Sequence, residues 1–240
     1  MNAMISAELL RLRTVAIHRW IAVGMLALIA VNAAPVVNGA ATTSDQVSAQ
    51  LRGLAQLAIF MLAAYAAHIV GDEFRRGSVA MTYLVHPSRG RVAAAHAVTY
   101  AAVGAVLAAI LAGAAMAIVL PVAAGDHINT GFASADIALV LAGSALGGAI
   151  LGAAGALIGA IARHPGLAMG VVVVWSVSES LATQGGTRGG IGDYLPFQLI
   201  GAATSLSHHV AVLPAIGLLL VYLALMAFAV RRWAMPRDLT

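Results

Sequence analysis

Long apolar runs divided by short polar breaks dominate this sequence, and nothing else in it restricts the fold as severely. Six of them, near 20–37, 51–70, 92–120, 137–162, 166–181 and 210–230, read as membrane-crossing helices. Hydrocarbon offers no partner for backbone N–H and C=O groups, so a chain that crosses it in such runs must satisfy them helically. Composition agrees: mean hydropathy is +0.94 and only 9% of residues are charged, too little polar surface to cover a soluble globule. The expectation is an all-α, polytopic membrane protein, a single domain over 1–240 with no soluble domain and no internal repeat.

Residues 1–19 place Ile5, Leu9, Leu12 and Ala16 on one helical face, with Glu8 and Arg11 elsewhere, which predicts an amphipathic interfacial helix. No small-residue cleavage site follows a short apolar core, so a removed signal peptide is not expected. The first span is interrupted near its outer end by Asn32 and Pro35, and 38–50 forms an external loop. In the second span His68 stands one turn before Asp72; a buried, hydrogen-bonded histidine fits better there than a proton relay. The third span ends at Pro121, and 123–135 is a second external loop.

The fourth span carries Gly143, Gly147, Gly148, Gly152, Gly155 and Gly159 in pairs four residues apart, a ridge that lets backbones approach closely in lipid. It predicts packing within the chain first and a dimer seam second. Arg163-His164-Pro165 makes a tight inner turn. Glu179 lies within the outer end of the fifth span, where a carboxylate is either functional or solvated. Residues 183–209 form an external loop whose apolar part, 194–200, is too short to span and is expected to dip into the outer leaflet or lie on it.

All thirteen basic residues are arginine. With the amino terminus inside, eleven fall on the inner side and only Arg52 and Arg188 outside, which predicts cytoplasmic termini. The pI near 10.1 therefore reflects membrane orientation, and no nucleic-acid partner is expected. Without cysteine, disulfides and thiolate metal sites are excluded.

Between spans two and three lies a polar island, 71–92, with four arginines and two acids. Asp72 and Glu73 precede Arg75 and Arg76 at the spacing where opposite charges meet along a helix. Gly77 breaks that helix. Ser78 can cap a segment 78–85, too short to cross a membrane, and Pro87 makes continuation past His86 unfavourable. Ser88 can cap the next helix, with Arg89 and Arg91 in a first turn whose dipole disfavours positive charge. Anionic lipid headgroups or an acidic partner surface would compensate.

The run Glu73-Phe74-Arg75-Arg76-Gly77-Ser78, followed by Thr82-Tyr83-Leu84, Pro87 and Arg89, resembles the first cytoplasmic loop of permease subunits in the type-2, exporter-like branch of ABC transporters. The sequence departs from that pattern at His96-Ala97, where many relatives carry Ala-Lys. The resemblance implies a coupling helix in 71–92 that touches a separate ATPase subunit, with Asp72, Glu73, Arg75, Arg76, Gly77, Ser78, Thr82, Tyr83, Pro87 and Arg89 as the coupling residues. It also implies short re-entrant helices between spans five and six, a bacterial cytoplasmic membrane location, two ATPase copies and a second permease copy or paralogue. No cofactor belongs to this chain; ATP and magnesium would sit on the partner.

Other chemistry is poorly supplied. A chain without lysine cannot build the phosphate-cradling G-x-x-x-x-G-K-[ST] loop, so ATP hydrolysis would belong to another polypeptide. Ser144 lacks the G-x-S-x-G setting of an activated serine, and adjacent His208 and His209 do not face one point on a helix. No catalytic or metal site is expected. The central thirds of the spans hold no acids, which disfavours ion-coupled antiport. His68 and Glu179 remain possible polar residues of a pathway for a drug, antibiotic peptide or lipid. Two rivals stand beside ATP-driven export. A non-pumping scaffold or immunity protein would lack an ATPase companion. A membrane-embedded enzyme would turn over lipid or peptide until Ser144 or Glu179 became alanine.

Overall fold

The computed structural model describes residues 10, 16–39, 41, 43–79, 84, 89–128, 130, 132–184, 191–204 and 211–234. All regular structure among them is helical. The order is α1 (Ala16–Val37), α2 (Ser44–Arg75), α3 (Arg89–Gly125), α4 (Ser134–Ala162), α5 (Pro165–Gln184), a 3-10 turn (Ile191–Tyr194), α6 (Pro196–Ala203), α7 (Val212–Ala229) and a π turn (Val230–Ala234). Five helices, α1 to α4 and α7, are long and apolar enough to cross a membrane; α5 is a shorter apolar helix. The amphipathic helix expected over 1–19 falls almost entirely outside the described residues.

Helix ends follow local chemistry. Thr43 and Gln46 form a reciprocal capping box at the start of α2, a Thr-x-x-Gln pattern readable in the sequence. At the other end Gly77 takes the left-handed conformation (φ 71°) and its N–H reaches the Phe74 carbonyl, so the helix stops where glycine permits. The expected end of the third span at Pro121 is corrected: α3 runs on to Gly125. A proline ring in a helix costs one donor and clashes with the carbonyl four residues back. Here the helix continues for only one further turn, then closes at His127 (φ 58°) with Ile128 N–H on the Ala123 carbonyl.

α4 is the centre. It is apolar all round, its residues from Ile150 to Ala160 are buried without a break, and it packs chiefly on α3 and α2. The glycine ridge makes this possible. Gly148 and Gly152 lie on the backbone of α3 at Gly104 and Tyr100, while Gly155 and Gly159 lie on that of α2 at Ala63 and Ala67. These pairings make α3 antiparallel and α2 parallel to α4. The ridge thus serves packing within the chain, the first of the two expected uses.

Outward faces are apolar as well. Trp20, Val31, Val174, Leu213, Leu225 and Phe228 are exposed. So much unpartnered apolar surface, on helices of membrane-crossing length, identifies a multi-pass membrane protein.

Short α6 does not lie on the surface. Its residues Phe197 and Leu199 to Ala203 are buried, with Ile200 against Gly147 and Ala203 against Gly143 of α4. Phe197 meets Phe60 of α2 and Trp175 of α5 edge-on, at 6.1 and 5.3 Å between ring centroids. Most of the apolar stretch 194–200 is thus helical and packed into the bundle.

Candidate functional site

The charged groups collect where α2 ends, α3 begins and α4 turns into α5. Asp72 sits on the last turn of α2 and pairs with both following arginines, Oδ1 2.8 Å from Arg75 Nη2 and Oδ2 2.5 Å from Arg76 Nε. Both pairs have the i, i+3 and i, i+4 spacing that the sequence predicts. Arg75 and Arg76 are exposed, so their outer faces are available to a partner.

Glu73, expected beside Arg75 and Arg76 on the helix surface, meets a residue of another helix. One residue on from Asp72, it points about 100° around the helix and into the bundle. It is 5% exposed, and its Oε2 lies 3.4 Å from Nε2 of His96 on α3, itself 9% exposed. His96 thus meets Glu73 across the α2–α3 contact. Nothing in the sequence joins residues 23 apart in this way until α2 and α3 are folded antiparallel.

Ser78 has a contact on the other side as well. Its hydroxyl donates to the Glu73 carbonyl at 3.1 Å, closing the end of α2. This stabilises the helix behind it; the segment ahead, which Ser78 was expected to cap, lies mostly outside the described residues. Thr82, Tyr83 and Pro87 lie outside the described residues, as does most of 78–85; of Arg89 only the backbone, at the start of α3, is described.

The α4–α5 turn packs on the same corner. Arg163 ends α4 in a left-handed conformation (φ 54°) and holds its guanidinium over the Phe74 ring, 5.9 Å from the centroid. Gly71 abuts the His164 backbone so closely that a Cβ there would sit 3.0 Å from the carbonyl. The end of α2 is therefore clamped on two sides, by α3 through Glu73 and His96 and by the α4–α5 turn through Gly71 and Phe74.

The two polar residues expected along a pathway separate. His68 is half-buried, and its Nδ1 has no hydrogen-bond partner among the described residues. Glu179 is 2% exposed, so solvation is overturned. Its Oε2 accepts from Phe197 N–H at 2.8 Å, satisfying a free donor in the first turn of α6. Gln56 of α2 secures the same turn by donating to the Phe197 carbonyl at 3.1 Å. Periodicity could not find this, because the partners are separated by 18 and 141 residues. Ser144 is buried in α4, its hydroxyl without a partner among the described residues, beside the glycines that receive α6.

Replacing Glu179 by alanine should destabilise the protein by about 1–3 kcal/mol, because Phe197 N–H would stay buried and unsatisfied. Glutamine keeps an acceptor and should cost less. Thermal unfolding of the detergent-solubilised chain, with hydrogen exchange at Phe197 and Gln198, measures both; equal midpoints for wild type and Glu179→Ala would contradict the capping role.

Comparison with protein-family models, with curated proteins and with solved structures finds no match.

Proposed function

We propose that this chain is the membrane-spanning permease subunit of an ATP-driven ABC exporter that moves an amphipathic or hydrophobic substrate. In this reading α5, with its 20 residues, is the fifth of six spans, and α6 is the re-entrant helix between spans five and six. Both termini are cytoplasmic, in a bacterial membrane. A second permease copy or paralogue completes the pathway, and two copies of a separate ATPase supply the work.

One observation carries the reading. α2 is a single helix of 32 residues, about 48 Å at ~1.5 Å per residue. At its inner end the half-buried Asp72 pairs with the exposed Arg75 and Arg76; sixteen to twenty residues earlier, Gln56 and Arg52 meet α6. Force applied by a closing ATPase pair at the elbow would travel along a rigid rod to the inserted helix that lines the opposite half of the bundle. The clamp by His96 and the inner turn makes α2, α3 and α4 move together, which turns a local push into a tilt.

Co-purification tests the assignment. A tagged chain, expressed with the ATPase encoded beside it, should retain that subunit through size exclusion and raise its ATPase rate several-fold with an amphipathic substrate. In the same cells, cysteine at Ser78 should react with an impermeant maleimide only after permeabilisation, and cysteine at Thr43 before it; the chain has no native cysteine to interfere. A solitary chain, or an elbow labelled from outside, would end this reading.

A further inference from the structure

Beside the elbow, a groove of about 680 Å³ opens between the first turns of α3, the last part of α4 and the end of α7. Its floor is apolar: Ala94, Ala97 and Ala101 of α3 recur at helical spacing, and Leu223 of α7 faces them across the groove. At one end stand two arginines, Arg91 and Arg231, both exposed and neither ion-paired with a carboxylate among the described residues. Helix direction fixes which end this is. α3 starts, and α4 and α7 finish, on the arginine-bearing face, so the two cations lie at membrane-surface level and the alanine floor runs inward from them.

We infer that this groove holds one anionic phospholipid, its phosphodiester between Arg91 and Arg231 and an acyl chain along the alanines. Dimensions agree with that occupant. From Arg91 to Ala101 the helix rises about 15 Å, the depth of one leaflet of a bilayer whose hydrocarbon core is ~30 Å thick. Charge agrees too. Arg91 lies in the first turn of a helix, where the dipole opposes a cation, and a phosphate between it and Arg231 offsets that cost. The alanines matter by being small: any larger side chain there would fill the space an acyl chain needs. The site is separate from the elbow and does not depend on the ATPase assignment.

Native mass spectrometry of the full chain, released from detergent with an equimolar mixture of dioleoyl-phosphatidylglycerol and dioleoyl-phosphatidylcholine, tests this directly. Wild type should retain one phosphatidylglycerol in strong preference, and Arg91→Gln/Arg231→Gln should reduce that preference roughly thirty-fold, as expected for two arginines acting near the membrane surface. Both arginines are exposed, so the double variant should fold with an unchanged unfolding midpoint. Ala97→Leu, which keeps both charges, should lower retention of the intact lipid while leaving any binding of inorganic phosphate unaltered. Equal retention of the two lipids by wild type, or undiminished preference in the arginine double variant, overturns the inference. So does displacement of the lipid by millimolar inorganic phosphate, which would make the site an anion site only, and so does a shift of Ala97→Leu from dimer to monomer without change in lipid, which would give the groove to a second copy of this chain.

Discussion

Alanine at Gly155 will lower the unfolding midpoint of this protein, and alanine at Gly24 will not. Both glycines are in helices, where alanine is favoured by about 1 kcal/mol, so propensity alone predicts the same sign. Space decides otherwise. A Cβ at Gly155 would fall far inside van der Waals contact distance of the Ala63 carbonyl oxygen, with the Ala63 carbonyl carbon at 2.9 Å and Cα at 3.0 Å, whereas among the described residues nothing lies within 4 Å of one at Gly24. Backbone cannot rotate away as a side chain can. α2 and α4 must separate, and overpacking of this kind costs typically ~1–3 kcal/mol. Gly148 is worse placed, since its Cβ would meet both the Gly104 carbonyl and the Ala108 side chain. Leucine there should destabilise the bundle further. Circular dichroism during titration with dodecyl sulfate, read for Gly24→Ala, Gly155→Ala and Gly148→Leu, should rank them in that order of decreasing stability. A Gly155→Ala variant as stable as Gly24→Ala would mean that the ridge does not set the helix spacing.

Asn in place of Asp72 should uncouple the proposed exporter while leaving the chain folded. Each ion pair contributes only about 0.2–0.5 kcal/mol to its helix, so the unfolding midpoint should move little. Arg75 and Arg76 would, however, lose the carboxylate that holds them in one arrangement. Substrate stimulation of the companion ATPase should fall about tenfold, the effect of about 1.4 kcal/mol. Glu73→Gln should give the converse pattern: its side chain is packed against His96 inside the bundle, so stability suffers while stimulation per folded molecule is retained. Replacing Glu73 and Arg76 together should therefore show both losses, and their separation into two single variants tests which acid belongs to the elbow. Full stimulation with Asp72→Asn would remove Asp72 from the coupling path.

Much of this protein was legible in one dimension because membranes impose one-dimensional rules. The apolar runs are set by bilayer thickness, the break at Gly77 by its left-handed backbone, the pairing of Asp72 with Arg75 and Arg76 by helical spacing, and the glycine ridge by its four-residue repeat. Each depends on neighbours a few residues away. Helix limits were less legible at Pro121, where packing and the turn at His127 carried α3 one turn further.

Partnerships between helices were decided only by folding. Glu73 and Asp72 are adjacent and chemically alike, yet one points inward to His96 and the other outward to the arginines, because the antiparallel crossing of α2 and α3 places a histidine on one side only. Glu179 reads equally as functional or solvated until α6 folds back and presents Phe197 N–H to it. The groove under Arg91 and Arg231 exists because three helix ends from distant parts of the chain finish at one level. Local sequence determines which backbone segments become helices and how they end; which side chains then meet depends on helix rotation and crossing, and those are settled by close packing over the whole bundle.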